Sequence, residues 1–98
     1  MNYYLSNSTN PNKKYMVIFF NDYTGRKNTI HFGNFASDDY TITNNDERKR
    51  LYKLRHAGDM INDLNYPGCW SWWLLWNKKT LEASIKDMEK RFKINIIN

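Results

Sequence analysis

Cysteine is nearly absent from this chain, since Cys69 is its only thiol. A single thiol excludes an intramolecular disulfide and the paired-cysteine sites that hold structural zinc. Cys69 stands beside the bulky Trp70 and is expected to be a small buried hydrophobic residue, not a nucleophile. The cysteine content therefore indicates a protein of a reducing compartment.

Long apolar runs are also missing. The longest one, Trp72 to Trp76, has five residues, whereas a helix that spans a bilayer needs about 20. The segment from Met1 to Lys14 is polar and rich in Asn and Ser, without the apolar stretch of a secretory signal. We therefore expect a soluble intracellular protein that does not associate with membranes.

The sequence contains no strong catalytic motif, because it has neither a His-Glu-x-x-His pair nor a glycine-rich phosphate loop. His31 and His56, together with Asp38 or Asp39, are the residue types of a small metal-dependent nuclease site. However, the alternation in Lys27 to Phe32 makes His31 a half-exposed strand residue, and successive loop aspartates commonly form turns or flank helices. We expect no enzymatic activity, no catalytic residue, no metal and no cofactor.

The residues that are abundant favour a folded, basic protein. Of 98 residues, 41% are apolar and 16% aromatic, which is enough for one modest core and too much for a disordered chain. Residues 1–12 lack periodicity and are predicted to form a flexible N-terminal arm, with Tyr3, Tyr4 and Leu5 able to attach it to a neighbour; residues 13–98 are predicted to form a single compact domain. The net charge of +5 favours an anionic partner.

All four tryptophans lie between Gly68 and Asn77. Each ring buries about 150–250 Å², worth roughly 4–6 kcal/mol at ~25 cal/mol per Å². If this segment is helical, Trp72, Trp73 and Trp76 share one face and apolar groups nearly encircle it, which is typical of a buried helix. We predict that most of these rings form the core. The alternative is a platform on which bases stack.

The periodicity elsewhere predicts an α+β fold. Two runs, Lys14 to Phe20 and Lys27 to Phe32, flank a turn cluster that contains Gly25 and predict a β-hairpin. A final helix, Leu81 to Lys93, carries one apolar stripe, and Ile94 to Ile97 extends as a short strand or lies against a partner. We predict a small antiparallel hairpin or sheet of two or three strands, packed against two to three helices, with a Trp-rich core.

The strongest functional signal is a basic helix predicted from Asp46 to His56, with Asn45 or Asp46 as its cap. On a helical wheel Leu51 and Leu54 form a narrow stripe, which we predict anchors the helix at the rim of the fold while the rest faces outward. The alternative to a binding role is a solvated helix face whose charges are offset by nearby acidic groups. The candidate nucleic-acid-binding residues are Arg48, Lys49, Arg50, Tyr52, Lys53, Arg55, His56 and Trp72.

Two sets of residues also carry a family resemblance. The late set comprises Trp70-Ser71, Trp73 to Lys78, Thr80-Leu81, Ser84-Ile85, Asp87 and Arg91-Phe92, and the early set comprises His31 to Gly33, Ser37 to Thr41, Arg48, Lys49, Tyr52, Arg55 and His56. Together they resemble a family of small uncharacterised Trp-rich proteins encoded mainly by large nucleocytoplasmic DNA viruses, the giant viruses. The resemblance covers about residues 14–93. It departs at Trp72, where the family has a basic residue, and at Lys79, where the family has proline, so we interpret Trp72 as an exposed contact.

The resemblance implies a viral, virion-associated protein of the host cytoplasm or viral factory. Two functions fit the residues. In the first, the basic helix binds the phosphates of nucleic acid without strong sequence specificity, while Tyr52 or Trp72 stacks on bases. In the second, the protein is a minor structural component that bridges capsid proteins by binding acidic viral protein surfaces, with residues 1–12 and 94–97 as arms. A contiguous cationic patch favours the first function, and cations interspersed with Asp and Glu favour the second.

Overall fold

The computed structural model describes residues 1–98 and confirms the α+β class. Four strands form one sheet in the order β3-β2-β1-β4. None of the helices combines the length and the apolar content that crossing a membrane requires. The strands are β1 (Asn2–Asn7), β2 (Lys13–Phe20), β3 (Lys27–Asn34) and β4 (Asn95–Ile97), and the helices are α1 (Tyr40–Thr43), α2 (Asp46–Arg55), α3 (Pro67–Trp70), which continues into a π-helical turn (Ser71–Leu75), and α4 (Leu81–Phe92).

The predicted hairpin is confirmed by strands β2 and β3, which pair antiparallel with Tyr15 opposite Phe32 and Val17 opposite Ile30. Gly25 supplies the positive φ of 69° that reverses the chain between them. Side chains alternate across a strand, so Phe32 is buried while His31 lies half-buried on the opposite face.

The predicted N-terminal arm is wrong for residues 2–7, because they form strand β1 in the interior of the sheet. It pairs antiparallel with β2 and parallel with β4, which makes the sheet mixed and larger than expected. Tyr3 and Leu5 are 5% exposed, whereas the intervening Tyr4 is 42% exposed. The polar residues that suggested a tail are therefore the solvent-facing half of an alternating strand.

The Trp-rich core is confirmed, although the buried face differs from the predicted one. Trp70 and Leu74 are fully buried and Trp76 is 9% exposed, whereas Trp72 and Trp73 are only half-buried. The amide of Trp76 donates to the carbonyl of Ser71 at 3.2 Å, a spacing of five residues. This wider π-helical turn changes the angular position of each side chain relative to an α-helix. The predicted face of Trp72, Trp73 and Trp76 is consequently divided between the core and the surface.

Helix α4 and strand β4 complete the core. Thr80 caps α4 by accepting a hydrogen bond from the amide of Ala83. The apolar stripe of α4 packs against the π-helical turn, with Met88 fully buried. After Lys93, which has a left-handed φ of 54°, the chain turns to place β4 beside β1. Of the two predicted alternatives for residues 94–97, the short strand is confirmed.

Candidate nucleic-acid interface

Helix α2 exists where it was predicted, but it packs through the opposite face. The Asn45 side chain caps it by accepting from the amide of Arg48 at 3.1 Å. Leu51 and Leu54, the predicted anchors, are 40% and 62% exposed, whereas Tyr52 is only 7% exposed. The prediction that the leucines anchor the helix is therefore wrong.

Aromatic stacking explains this orientation. The Tyr52 ring lies 4.4 Å from the Trp76 ring at an interplanar angle of 6°, and the His56 ring stacks on Tyr52 at 4.3 Å. Such a ring buries more apolar area than a leucine and gains about 0.5–1.5 kcal/mol from the pairing itself. Tyr52 is thus the anchor of α2, and its burial excludes the expected role as an exposed base-stacking residue.

Because α2 packs through Tyr52, two of its lysines lie beside the Trp segment. Lys49 Nζ donates to the Asn77 carbonyl oxygen at 2.6 Å and lies 4.7 Å from the centre of the Tyr40 ring. Lys53 Nζ lies 5.1 Å from the centre of the Trp72 ring, within cation–π range. Neither ammonium has a carboxylate within ion-pair distance. Both cations therefore keep their charge uncompensated at the junction of α2 and the Trp segment.

Two cations from other elements join them, and sequence analysis did not include either as a site residue. Burial lowers the pKa of Lys53, and the positive charges of Lys49, Arg91 and Lys78 lower it further, with Asp87 opposing them. Each of these three positive charges therefore lies within electrostatic range of Lys53. We call Lys49, Lys53, Lys78 and Arg91 the cationic cluster.

Two half-buried indoles adjoin the cationic cluster. Trp72 and Trp73 contact each other edge to face at 6.5 Å, and the Arg91 guanidinium lies 4.5 Å from the centre of the Trp73 ring. Trp73 Nε1 donates to the Ile61 carbonyl at 2.7 Å, which fixes this ring, while Lys53 lies over Trp72. Asp87 is the acidic group of this region, and its Oδ2 accepts from Arg91 at 2.9 Å. The arrangement combines positive charge with two half-buried aromatic rings.

The remaining predicted residues lie apart from the cationic cluster. Arg48 is 3.6 Å from Asp38, and Arg50 forms a bidentate ion pair with Glu47. His56 Nδ1 is 2.7 Å from Asp59 Oδ2. Arg55 has no ion-pair partner and lines a cleft beyond the last turn of α2. Of the eight candidates, the structure brings together Lys49, Lys53 and Trp72.

Of the residues considered for a nuclease site, Asp38, Asp39 and His56 line one cleft and His31 lies outside it. Each of them has a partner of its own. His31 Nδ1 hydrogen-bonds the Ser8 hydroxyl at 2.7 Å, on the sheet face opposite the core. Asp39 caps α1 and pairs with Lys14 at 2.5 Å, and His56 is occupied by Asp59 as described above. No group of three or more His, Cys, Asp or Glu side chains is placed to hold a metal ion.

Two ionisable side chains near the interface, Tyr52 and Cys69, are buried. Burial raises the pKa of Tyr52 to about 12, the Asp59 carboxylate adds to the rise, and Arg55 and the Ser71 hydroxyl oppose it. Burial likewise raises the pKa of Cys69 to about 12, with a further contribution from Asp63. Both groups are neutral near pH 7, so neither supplies a nucleophile or a charge to the surface.

Comparison with known proteins places the chain in a family. Residues 3–56 match a family described as a family of unknown function, DUF5754, and this segment contains β1 to β3, α1 and α2. No curated protein and no solved structure matches the chain. Because the matched segment is more than half of the 98 residues, the protein belongs to the DUF5754 family.

Proposed function

We propose that this protein is a small non-enzymatic nucleic-acid-binding protein that contacts phosphates without strong sequence specificity through the cationic cluster. The observation that carries the proposal is the position of Lys53, whose ammonium lies 5.1 Å from the centre of the half-buried Trp72 ring with no carboxylate within ion-pair distance. Burial and the charges of Lys49, Arg91 and Lys78 lower its pKa. A bound polyanion removes that repulsion, so the phosphate backbone is the ligand that this site favours. The resemblance to Trp-rich proteins of giant viruses supports a virion-associated setting for this activity.

The composition of the cluster supports binding without base readout. Lysine is a point charge that suits phosphate oxygens from many directions, and three of the four cations are lysines. The half-buried rings of Trp72 and Trp73 add an aromatic surface, and base stacking on such a surface does not depend on sequence. Arg91 is paired with Asp87, so the three lysines without a carboxylate partner predict a slope of log K against log salt of about −2.7 on a duplex and about −2.1 on a single strand.

Fluorescence anisotropy with a labelled oligonucleotide of random sequence tests the proposal. We expect binding at low salt, weakened by added salt with the slope given above. Lys53→Gln and Lys78→Gln should each reduce the magnitude of the slope by about 1. The matched control is Arg50→Gln, which removes a cation already paired with Glu47 and should leave the slope unchanged. Absence of binding at low salt, or equal losses in all three variants, contradicts the proposal.

A second candidate function is the binding of an acidic viral protein surface, and the outer face of α2 favours it. There the cations are interspersed with acidic groups, as in the Arg50 and Glu47 pair, and Leu51 and Leu54 are exposed between them. Mixed charge around exposed apolar groups is typical of protein interfaces. Mass spectrometry of gently disrupted particles distinguishes the two candidates, because a nucleic-acid-binding protein leaves with the genome and a bridging protein leaves with the shell.

A further inference from the structure

The cleft beyond the last turn of α2 is lined in part by Tyr52 and Trp76 and by no residue of the cationic cluster. It has a volume of about 380 Å³ and is enclosed by the end of β3, the following loop, the last turn of α2 and the start of α3. This volume is within the range of small-molecule sites, about 300–1,000 Å³. Polar and charged side chains form most of the lining, and the rings of Tyr52 and Trp76 contribute to its apolar part.

The walls of the cleft are fixed before any ligand binds. Asp39 is 2% exposed, and its carboxylate binds the Lys14 ammonium at 2.5 Å through one oxygen and the Thr41 amide at 2.9 Å through the other. Gly33 has a φ of 80°, and a Cβ there would lie 2.8 Å from a methyl group of Leu75. The loop and the π-helical turn are therefore held in close contact, and a preorganised site loses little entropy on binding.

The ion pairs of the cleft leave two cations without partners. Lys14 is paired with Asp39, and His56 is paired with Asp59. Lys13 and Arg55 also line the cleft, and neither side chain forms an ion pair or a hydrogen bond. The third acidic residue of the lining, Asp38, faces Arg48 at 3.6 Å. The Asp59 carboxylate, whose partner His56 is not a permanent cation, offsets part of the charge of Lys13 and Arg55, and the remaining charge is positive.

The lining also offers hydroxyl groups and apolar surface, which suit a phosphate attached to an organic group better than a simple inorganic ion. The Ser37 and Ser71 side chains line the same cleft and bring hydroxyl donors, while Pro67 and the edge of Trp76 give it an apolar part that a carbon skeleton can contact. A phosphate monoester carries close to two negative charges near neutral pH and three acceptor oxygens. Two cations and two hydroxyls match that group better than they match a carboxylate, which has one charge and two oxygens.

We infer that this cleft binds a small organic phosphate of mononucleotide size, with Lys13 and Arg55 holding the phosphate and the apolar part of the lining contacting the organic group. The site is distinct from the cationic cluster and does not depend on the proposed nucleic-acid binding.

Titration of the full chain with AMP, followed by amide chemical shifts, tests this inference. We expect AMP to shift the signals of Gly33, Ser37 and Gly68, and to bind more tightly than inorganic phosphate or adenosine. Arg55→Gln and Lys13→Gln should each weaken AMP binding about tenfold or more, because each removes a charge-assisted hydrogen bond. Arg50→Gln is the matched control on the same helix and should bind AMP like the unaltered protein.

The outcomes separate this site from the interface described above. AMP binding should persist when Lys53→Gln and Lys78→Gln are combined, whatever their effect on oligonucleotide binding. Absence of any AMP binding at millimolar concentration overturns the inference, and so do shifts confined to the cationic cluster. Equal affinity for AMP and inorganic phosphate would show that the cleft holds an anion only and would overturn the assignment of an organic ligand.

Discussion

Replacing Tyr52 with alanine should destabilise the protein far more than replacing Leu54, although sequence periodicity made the leucine the anchor. Tyr52 is 7% exposed and stacked on Trp76 at 4.4 Å, whereas Leu54 is 62% exposed. Removal of a buried aromatic ring costs about 3–5 kcal/mol. Because α2 lies at the rim, where neighbours can relax, we expect about 3 kcal/mol for Tyr52→Ala. Leu54→Ala removes exposed surface and should cost no more than about 0.5 kcal/mol.

Urea unfolding followed by far-ultraviolet circular dichroism measures both values. A loss of about 3 kcal/mol is a large share of the roughly 5–15 kcal/mol that stabilises a small domain. It corresponds to a decrease in Tm of about 12–24 °C, at about 4–8 °C per kcal/mol for a domain of this size. Tyr52→Phe keeps the stacked ring and should lose less than half as much as Tyr52→Ala. A larger cost for Leu54→Ala than for Tyr52→Ala would refute the packing of α2 described here.

Three further predictions test other parts of the structure. Tyr3→Ala should lower the free energy of unfolding by about 3 kcal/mol and Tyr4→Ala by less than 1 kcal/mol, whereas a flexible arm would give no effect for either. Cys69, whose pKa burial raises to about 12, should resist a thiol reagent at pH 8 in the folded protein and react after unfolding; reaction of the folded protein at the unfolded rate contradicts its burial. Burial alone would raise the pKa of Asp87, but the hydrogen bonds that Asn77 and Arg91 donate to its carboxylate lower it. The ionised Asp87 therefore stabilises the fold above the pKa that this group has in the unfolded chain, and the stabilisation is lost as the pH falls through the lower pKa of the folded protein. The free energies of unfolding of the unaltered protein and of Asp87→Asn should therefore differ near neutral pH and converge in acid. A difference that does not change with pH refutes the stabilising role of the ionised Asp87.

Local patterns explain why much of the fold could be predicted. The hairpin needs only alternation on each side of Gly25, and α4 needs only its cap at Thr80 and an apolar stripe, all of which neighbouring residues specify. The N-terminal strand was missed because its alternation is short and its polar residues look like a tail. Two apolar positions, Tyr3 and Leu5, were the available signal, and their burial depends on β2 and β4 on either side.

The candidate site was predicted in part for a related reason. The sequence located the basic helix and its Asn45 cap, and it included Lys49, Lys53 and Trp72 among the candidate residues. It could not show that Tyr52 has a flat indole to stack on, because the Trp76 position depends on a π-helical turn that no sequence period revealed. Without knowledge of that contact, the stripe of Leu51 and Leu54 was the more apolar face of α2, so the wrong face was predicted to be buried.

The sequence by itself determined that the chain folds as a single α+β unit with a Trp-rich core, a hairpin and a capped basic helix, because these features follow from residues close together in the chain. Only the tertiary structure decided which side of α2 is buried and which cations meet. Lys53 lies near Lys78 and Arg91 because stacking of Tyr52 on Trp76 turns the helix toward them. Contacts between distant segments depend on packing in three dimensions, which a pattern along one helix does not encode.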